Sequence, residues 1–471
     1  MSIEPSSVDP VPARRAGAGR PLPEGPAATN ATTSGGRVGA GRSAPEGPAV
    51  KNVPTPGGLA GAQSPPFVLP GEHFAAGLAF LVAGGVGLVW ISPELAAGLF
   101  PLPRVIAVVH LFTLGWITTS ILGALYQFLP VALGEPIRSE RVAHIGFVLY
   151  APGLAVFVVG LAAGVTVAYL VGAAAFCVGL LLFVWNLAAT LRRARRRDLT
   201  WWSLAGALAF LVAAISFGIS LAGNLRWGYL GGDRFGAVAV HLHVALFGWV
   251  FLVVVGVAQR LLPMFLLSHG ASVRPARWAA ALLAVGAGVL TLFHHWPGRV
   301  LPVGGALVWA GAAAFLVQSV LYFRHRRKPS LDAGLRLAGG ALGLLGLGLG
   351  IAPFAAVAGL GSPRLASAYV AALVGGFTLF VAGHDYKIVP FLVWYHRFGP
   401  LAGKRPVPRV ADLYSARVAS MAGALLAIGA AVVGAGVLAG SANVVTTGAW
   451  TFGAGALVES AQMLLLARRR P

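Results

Sequence analysis

Two imidazoles, His241 and His243, open the stretch HLHVALFGWVFLVVVGVAQRLLP, which is otherwise almost wholly apolar and closes on Arg260 and Pro263. A second pair, His294 and His295, ends the run TLFHHWPG, and His110 opens HLFTLGWITTSILGALYQFLP. Imidazole suits copper, iron and zinc. A titratable side chain at membrane depth is by default a functional candidate. Five imidazoles from segments far apart in sequence, sharing one depth, point to metal or haem ligation. Each residue of a regular helix turns about 100°, so His241 and His243 point about 200° apart and cannot both face one centre without distortion.

The elements that must hold these residues are membrane helices. Of the 471 residues, 57% are hydrophobic and only 10% charged, with a mean hydropathy of +0.79. Soluble chains are about a quarter charged. The single cysteine, Cys177, excludes an intrachain disulfide and makes a poor metal site by itself. Residues 1–66 differ in kind. They are rich in Pro, Gly, Ala and Ser, with Arg14, Arg15, Arg20, Arg37 and Arg42 scattered through them and no apolar run. That composition reads as a disordered cytoplasmic tail, and residues 67–471 as one transmembrane domain.

A spanning helix takes about 20 mostly apolar residues. Twelve stretches qualify, near 74–97, 104–132, 141–165, 167–190, 201–223, 236–264, 275–295, 300–323, 334–358, 364–394, 411–437 and 442–466. The loops LRRARRRD and FRHRRKPS, the residues Arg397, Lys404, Arg405 and Arg409, and the terminal RRRP all fall on the side of the tail. The opposite loops hold only Arg104, Arg226, Arg234, Arg299 and Arg364. This asymmetry places both termini in the cytoplasm of a multi-pass protein of the bacterial inner membrane. It also accounts for most of the net charge of +21 without nucleic acid; the lipid bilayer is the expected partner.

Three even spans repeat one pattern. His110 to Pro130, His243 to Pro263 and Val370 to Pro390 are each 21 residues long. Each has Gly at the sixth position (Gly115, Gly248, Gly375), Gly at the fourteenth (Gly123, Gly256, Gly383) and a final proline. Trp116 and Trp249 also correspond. The copies start about four spans apart, which predicts an all-α membrane fold of twelve helices in three pseudo-symmetric arcs of four. Glycines at matching positions let helices approach closely. His243 matches His110 in the repeat and takes the axis-facing role, while His241 faces a neighbouring cofactor or a carbonyl.

Near the other end of these spans lies a polar layer: Gln127, Arg260 and Lys387 three residues before each proline, with His384 and Asp385 added in the tenth span. It reads as a proton entry or an anion clamp. For Arg260 and Lys387, snorkelling to the interface is the plainer alternative.

These residues resemble subunit I of the haem–copper oxidase superfamily, which includes cytochrome c oxidases and nitric oxide reductases. The motif Hx4GW in a helix ending on proline is also similar to the NnrS-type haem and copper membrane proteins. The resemblance covers roughly residues 70 to 470 and implies a twelve-helix core in three arcs. It also implies a low-spin haem ligand at His110, or a fourth copper position there. His241 or His243 would be a copper ligand from the sixth span, and His294 and His295 a copper pair at the end of the seventh. With His243 preferred, the implied copper set is His243, His294 and His295, and His110 and His241 are left to a b-type haem. The sequence departs from the family in its tenth span, where RLASAYVAAL carries no histidine and Tyr369 is the nearest oxygen ligand. The sixth span also lacks the family's His-Pro-Glu-Val-Tyr run. Copper alone, or copper with one haem, fits better than a two-haem oxidase. The implied function is redox chemistry on, or sensing of, oxygen or nitric oxide, fed by an electron-donor cytochrome or other subunits. The alternatives are a copper transport or assembly factor and a non-catalytic scaffold subunit.

Overall fold

The computed structural model describes residues 65–231, 234–358 and 362–471. All but the last two residues of the expected 1–66 tail lie outside the described residues. Within them the chain is helical, with no strand and a single isolated bridge between Ser268 and Arg326.

Eleven of the described helices are long and apolar enough to cross a membrane. They are α1 (Val68–Trp90), α2 (Pro103–Leu133), α3 (Glu140–Ala162), α4 (Thr166–Arg193), α5 (Leu199–Trp227), α6 (Arg234–Leu266), α7 (Arg274–Leu292), α8 (Pro297–Arg324), α9 (Ala333–Ala358), α10 (Pro363–Val393) and α11 (Ala416–Ala439). A further helix, α12 (Ala442–Ala467), is 26 residues long but less apolar. Its interior holds Glu459, Ser460 and Gln462, all buried. Eleven of the twelve expected spans are thus long and apolar enough to cross, and the twelfth, expected over 442–466, forms a helix that is less apolar. Two boundaries also move. The first span begins at Val68 and breaks after Trp90 into a short helix, Ser92–Ala96. The seventh ends at Leu292, so His294 and His295 stand in the turn beyond it. Pro297 disfavours helical backbone at Trp296, which stands at φ −122° and ψ 61°, so the helical run does not continue through it.

Local chemistry sets the ends. Prolines start α2, α7, α8 and α10 in the first turn, where a missing N–H costs nothing. Side-chain caps open α3 at Ser139, α5 at Asp198, α9 at Asp332 and α11 at Ser415.

Two packing relations recur every four helices. The first joins α3 to α4, α7 to α8 and α11 to α12 as close antiparallel hairpins. Their contact faces carry glycines seven apart: Gly146, Gly153 and Gly160 on α3, Gly304 and Gly311 on α8, Gly429 and Gly436 on α11. A Cβ at Gly153 would meet Phe176 N at 2.7 Å, one at Gly311 would meet Leu283 N at 2.9 Å, and one at Gly429 would meet Phe452 N at 2.4 Å. Lipid gives helices no hydrophobic drive to associate, so backbone approach of this kind supplies the dispersion contacts.

In the second relation, α2, α6 and α10 pack on α1, α5 and α9. The repeat glycines make the contact. A Cβ at Gly123 would meet His73 Cβ at 2.8 Å, one at Gly256 would meet Ser203 Cβ at 2.8 Å, and one at Gly383 would meet Gly334 O at 2.7 Å. The same three helices are the inner ones. Their apolar windows are 72%, 67% and 61% buried, and in each of the other eight spans half or less is buried. Finally, α12 packs back against α1, where Gly85 faces Gly453. Apolar side chains such as Val167, Leu292 and Val357 lie exposed on the outer helices. That outside suits lipid, and the chain is a multi-pass membrane protein.

Candidate cofactor site

The two repeat histidines sit at equivalent breaks in their helices. In α2 the α-helical turns end at His110 and a π-helical segment, Leu111–Thr118, follows. In α6 they end at His243 and Val244–Phe251 follows. A π segment holds an extra residue per turn and is found mostly at functional sites. The wider turn is supported from outside: the Leu114 carbonyl accepts from Thr119 Oγ1 at 3.0 Å and from the Tyr150 hydroxyl at 2.7 Å.

Each imidazole is oriented by the turn below it. His110 donates Nδ1–H to the Ile106 carbonyl and His243 donates to Ala239, both at 2.8 Å. That bond fixes the tautomer and leaves Nε2 with its lone pair free for an acceptor or ligand role. The Tyr369 hydroxyl of α10 lies 3.2 Å from His243 Nε2 and donates to it.

His241 goes the other way round α6, as the angular spacing requires. Its ring approaches Gly218 of α5, where a Cβ would stand 3.3 Å from Cε1. It lies nearly parallel to His110, with planes 18° apart and centroids 6.5 Å apart. Direct stacking contact would need roughly 3.5–4 Å, so the two rings run parallel without touching. His241 Nδ1 is buried there, with the Ala214 carbonyl of α5 within hydrogen-bonding reach of the ring.

Both rings line a cavity of about 90 Å³ among α2, α3, α4, α5 and α6. The remaining wall is almost wholly apolar, including Phe157, Phe176, Cys177, Leu211, Ile215 and Trp249. A second cavity of about 80 Å³ lies among α1, α2, α10 and α11, and its wall contains no histidine or acid. Of the two, the first has the donors. Two imidazoles on the wall of one mainly apolar chamber have the donor chemistry for a metal ion or for the iron of a metal macrocycle.

The expected copper set is divided. His243 pairs with Tyr369, while His294 and His295 pack on each other with centroids 3.8 Å apart, beside Phe217. His294 Nδ1 is taken by the Thr291 carbonyl at 2.8 Å. Among the described residues no three His, Cys, Asp or Glu side chains stand together as a metal-holding group. The five outer imidazoles therefore form three places, His110 with His241, His243 with Tyr369, and His294 with His295.

The expected inner patch is divided as well. Gln127 is buried in α2. Arg260 reaches Asp198 at 2.5 Å on the half-exposed surface. Lys387 pairs with Asp332, which Lys328 also contacts at 2.5 Å. His384 turns to Phe380 and Phe265, and Asp385 lies buried near Glu459. Burial pushes the Asp332 carboxyl up, but hydrogen bonds from Lys328 and Lys387 outweigh it and hold the group below the usual carboxylate range.

Sequence reasoning missed Glu459, although it is the one acid in the run 442–466. It also missed the pairing of His144 with Glu72 at 2.9 Å, which joins α3 to α1 across 72 positions and leaves no local signal. No family model matches this chain, and no curated protein matches it.

Proposed function

We propose that this chain is a redox protein of the bacterial inner membrane, with its helices in three arcs of four as in subunit I of the haem–copper oxidases. In this reading His110 and His241 hold a metal group, a b-type haem or a copper ion, for redox chemistry on, or sensing of, oxygen or nitric oxide. The observation that carries it is two imidazoles from different helices, ring centroids 6.5 Å apart, on the wall of one otherwise apolar cavity. When bound, such a group supplies one-electron exchange, and imidazole ligation with a dry shell tunes its potential. The chain's own residues orient the ligands. Ile106 holds the His110 tautomer, and the side chains of Phe157, Leu211 and Trp249 exclude water. Both termini are cytoplasmic in this reading, since the basic loops lie on their side.

A second reading, copper relay, draws on the exposed His295 packed against His294 in the turn after α7. Purified protein in detergent separates the two. A visible haem spectrum that is lost in His110→Ala and in His241→Ala, with His294→Ala/His295→Ala unaffected, supports the haem form. Copper without haem that is lost only in the His294 and His295 double variant supports the relay. Wild-type protein from haem- and copper-replete cells carrying neither metal overturns both.

A further inference from the structure

Far along α10 from Tyr369, two carboxyls enter the interior. Asp385 of α10 is 1% exposed and Glu459 of α12 is wholly buried. Asp385 Oδ2 and both Glu459 oxygens lack a hydrogen-bond partner. The basic side chain two residues on, Lys387, is engaged with Asp332. Two further oxygens share this place. The Tyr386 hydroxyl is buried without a partner and within electrostatic reach of both carboxyls. Gln462, one turn beyond Glu459, gives its Nε2 to the Ser415 carbonyl at 3.0 Å, which leaves Oε1 buried and unpartnered.

The other titratable groups around it are already engaged. On α10, His384 donates to the Phe380 carbonyl at 2.8 Å. On α9 and the loop before it, Arg336 bonds Ser420, and Lys328 bonds Asp332. Before α11, Tyr414 stands against the Tyr386 ring. On α1, Glu72 contacts His144, and His73 Nδ1 bonds the Leu69 carbonyl. No cationic side chain of the described residues is recorded in an ion pair with Asp385 or Glu459.

An uncompensated buried carboxylate costs several kcal/mol, and two adjacent ones repel as well. The charge must be met by something the chain does not supply. An all-oxygen donor set selects hard cations over the soft metals that imidazole or thiolate would hold. We propose that Asp385, Tyr386, Glu459 and Gln462 form an intramembrane binding site for a small hard cation, Na⁺ or a proton. This site stands apart from the His110–His241 cavity and does not depend on what that cavity holds.

Thermal unfolding of the purified full chain, in Na⁺ and in choline buffers across a pH series, tests the proposal. Wild type is expected to gain melting temperature with Na⁺ or with acid. A Na⁺ effect that fades as pH falls identifies Na⁺ competing with protons. An acid effect equal in both buffers identifies the proton alone. Asp385→Asn with Glu459→Gln should abolish either response. Wild type indifferent to both cations, or a response unchanged in the double variant, overturns the site. If the double variant does not fold, carbodiimide labelling of wild type serves instead, read by mass spectrometry. Labelling of Asp385 or Glu459 that Na⁺ or raised pH suppresses supports the site, and the absence of labelling, or labelling indifferent to both, overturns it.

Discussion

Trp249 of α6 donates its indole N–H to the hydroxyl of Thr118 in α2 at 3.1 Å, and both residues are buried. Trp116, the repeat counterpart of Trp249, donates to the Thr378 carbonyl of α10 at 3.2 Å. The two bonds link the inner helices in series, α6 to α2 to α10. Both tryptophans stand in the π segments that follow the repeat histidines.

Removing one link should loosen this inner set by a modest amount. Hydrogen bonds between membrane helices are worth about 0.6 kcal/mol on average, and an orphaned buried donor costs about 1–3 kcal/mol. Thr118→Val, which strands the Trp249 N–H, is expected to cost more in the wild type than in a Trp249→Phe background, where no donor is left to strand. Unfolding in a graded detergent series gives the comparison, and an equal or reversed order counts against the bond.

The glycines of α9 and α10 should divide into sensitive and tolerant positions. Gly383→Ala places a methyl 2.7 Å from Gly334 O and 2.8 Å from Ala338 N, both backbone atoms that cannot swing aside. Overpacking of this kind costs about 1–3 kcal/mol. Gly340, with nothing within 4 Å of its Cβ position, should accept Ala with no loss or a gain of about 0.4–1 kcal/mol. Melting temperatures of the two variants check the contrast.

Filling the cavity should mimic loss of a ligand. Gly218 lines the chamber beside His241. Gly218→Leu is expected to exclude the metal group while both histidines remain. Free imidazole should restore binding to His241→Ala but not to Gly218→Leu. Metal content and the visible spectrum are the readouts. Full occupancy of Gly218→Leu would place the group elsewhere.

Asp332 should give an acid-dependent contribution to stability. Its folded carboxyl titrates below the unfolded value of about 3.9. Its stabilisation is therefore fully present above that value and is lost as pH falls through the lower folded one. The melting-temperature gap between wild type and Asp332→Asn should hold constant from neutral pH to about pH 5 and narrow below about pH 4. A gap that widens on acidification would contradict the assignment.

Much of the scaffold could be read from the chain alone. The second span, expected over 104–132, forms Pro103–Leu133, and the sixth, expected over 236–264, forms Arg234–Leu266. The twelfth, expected over 442–466, forms Ala442–Ala467, but Glu459 and Gln462 dilute its apolar run and tertiary contacts bury them. In the site, the divergence of His241 and His243 followed from helical angle. Their partners did not: His110 is 131 positions from His241, and Tyr369 is 126 from His243.

The sequence by itself determined which segments enter the membrane, where they turn and which three repeat one another. Each of those properties is local, since every apolar run meets lipid on its own and each proline or cap acts within a turn. Only the tertiary structure decided which histidines share a chamber and which carboxyls lie together. Those outcomes depend on how far each helix is rotated about its axis, and close glycine packing and the π segments in α2 and α6 set that rotation.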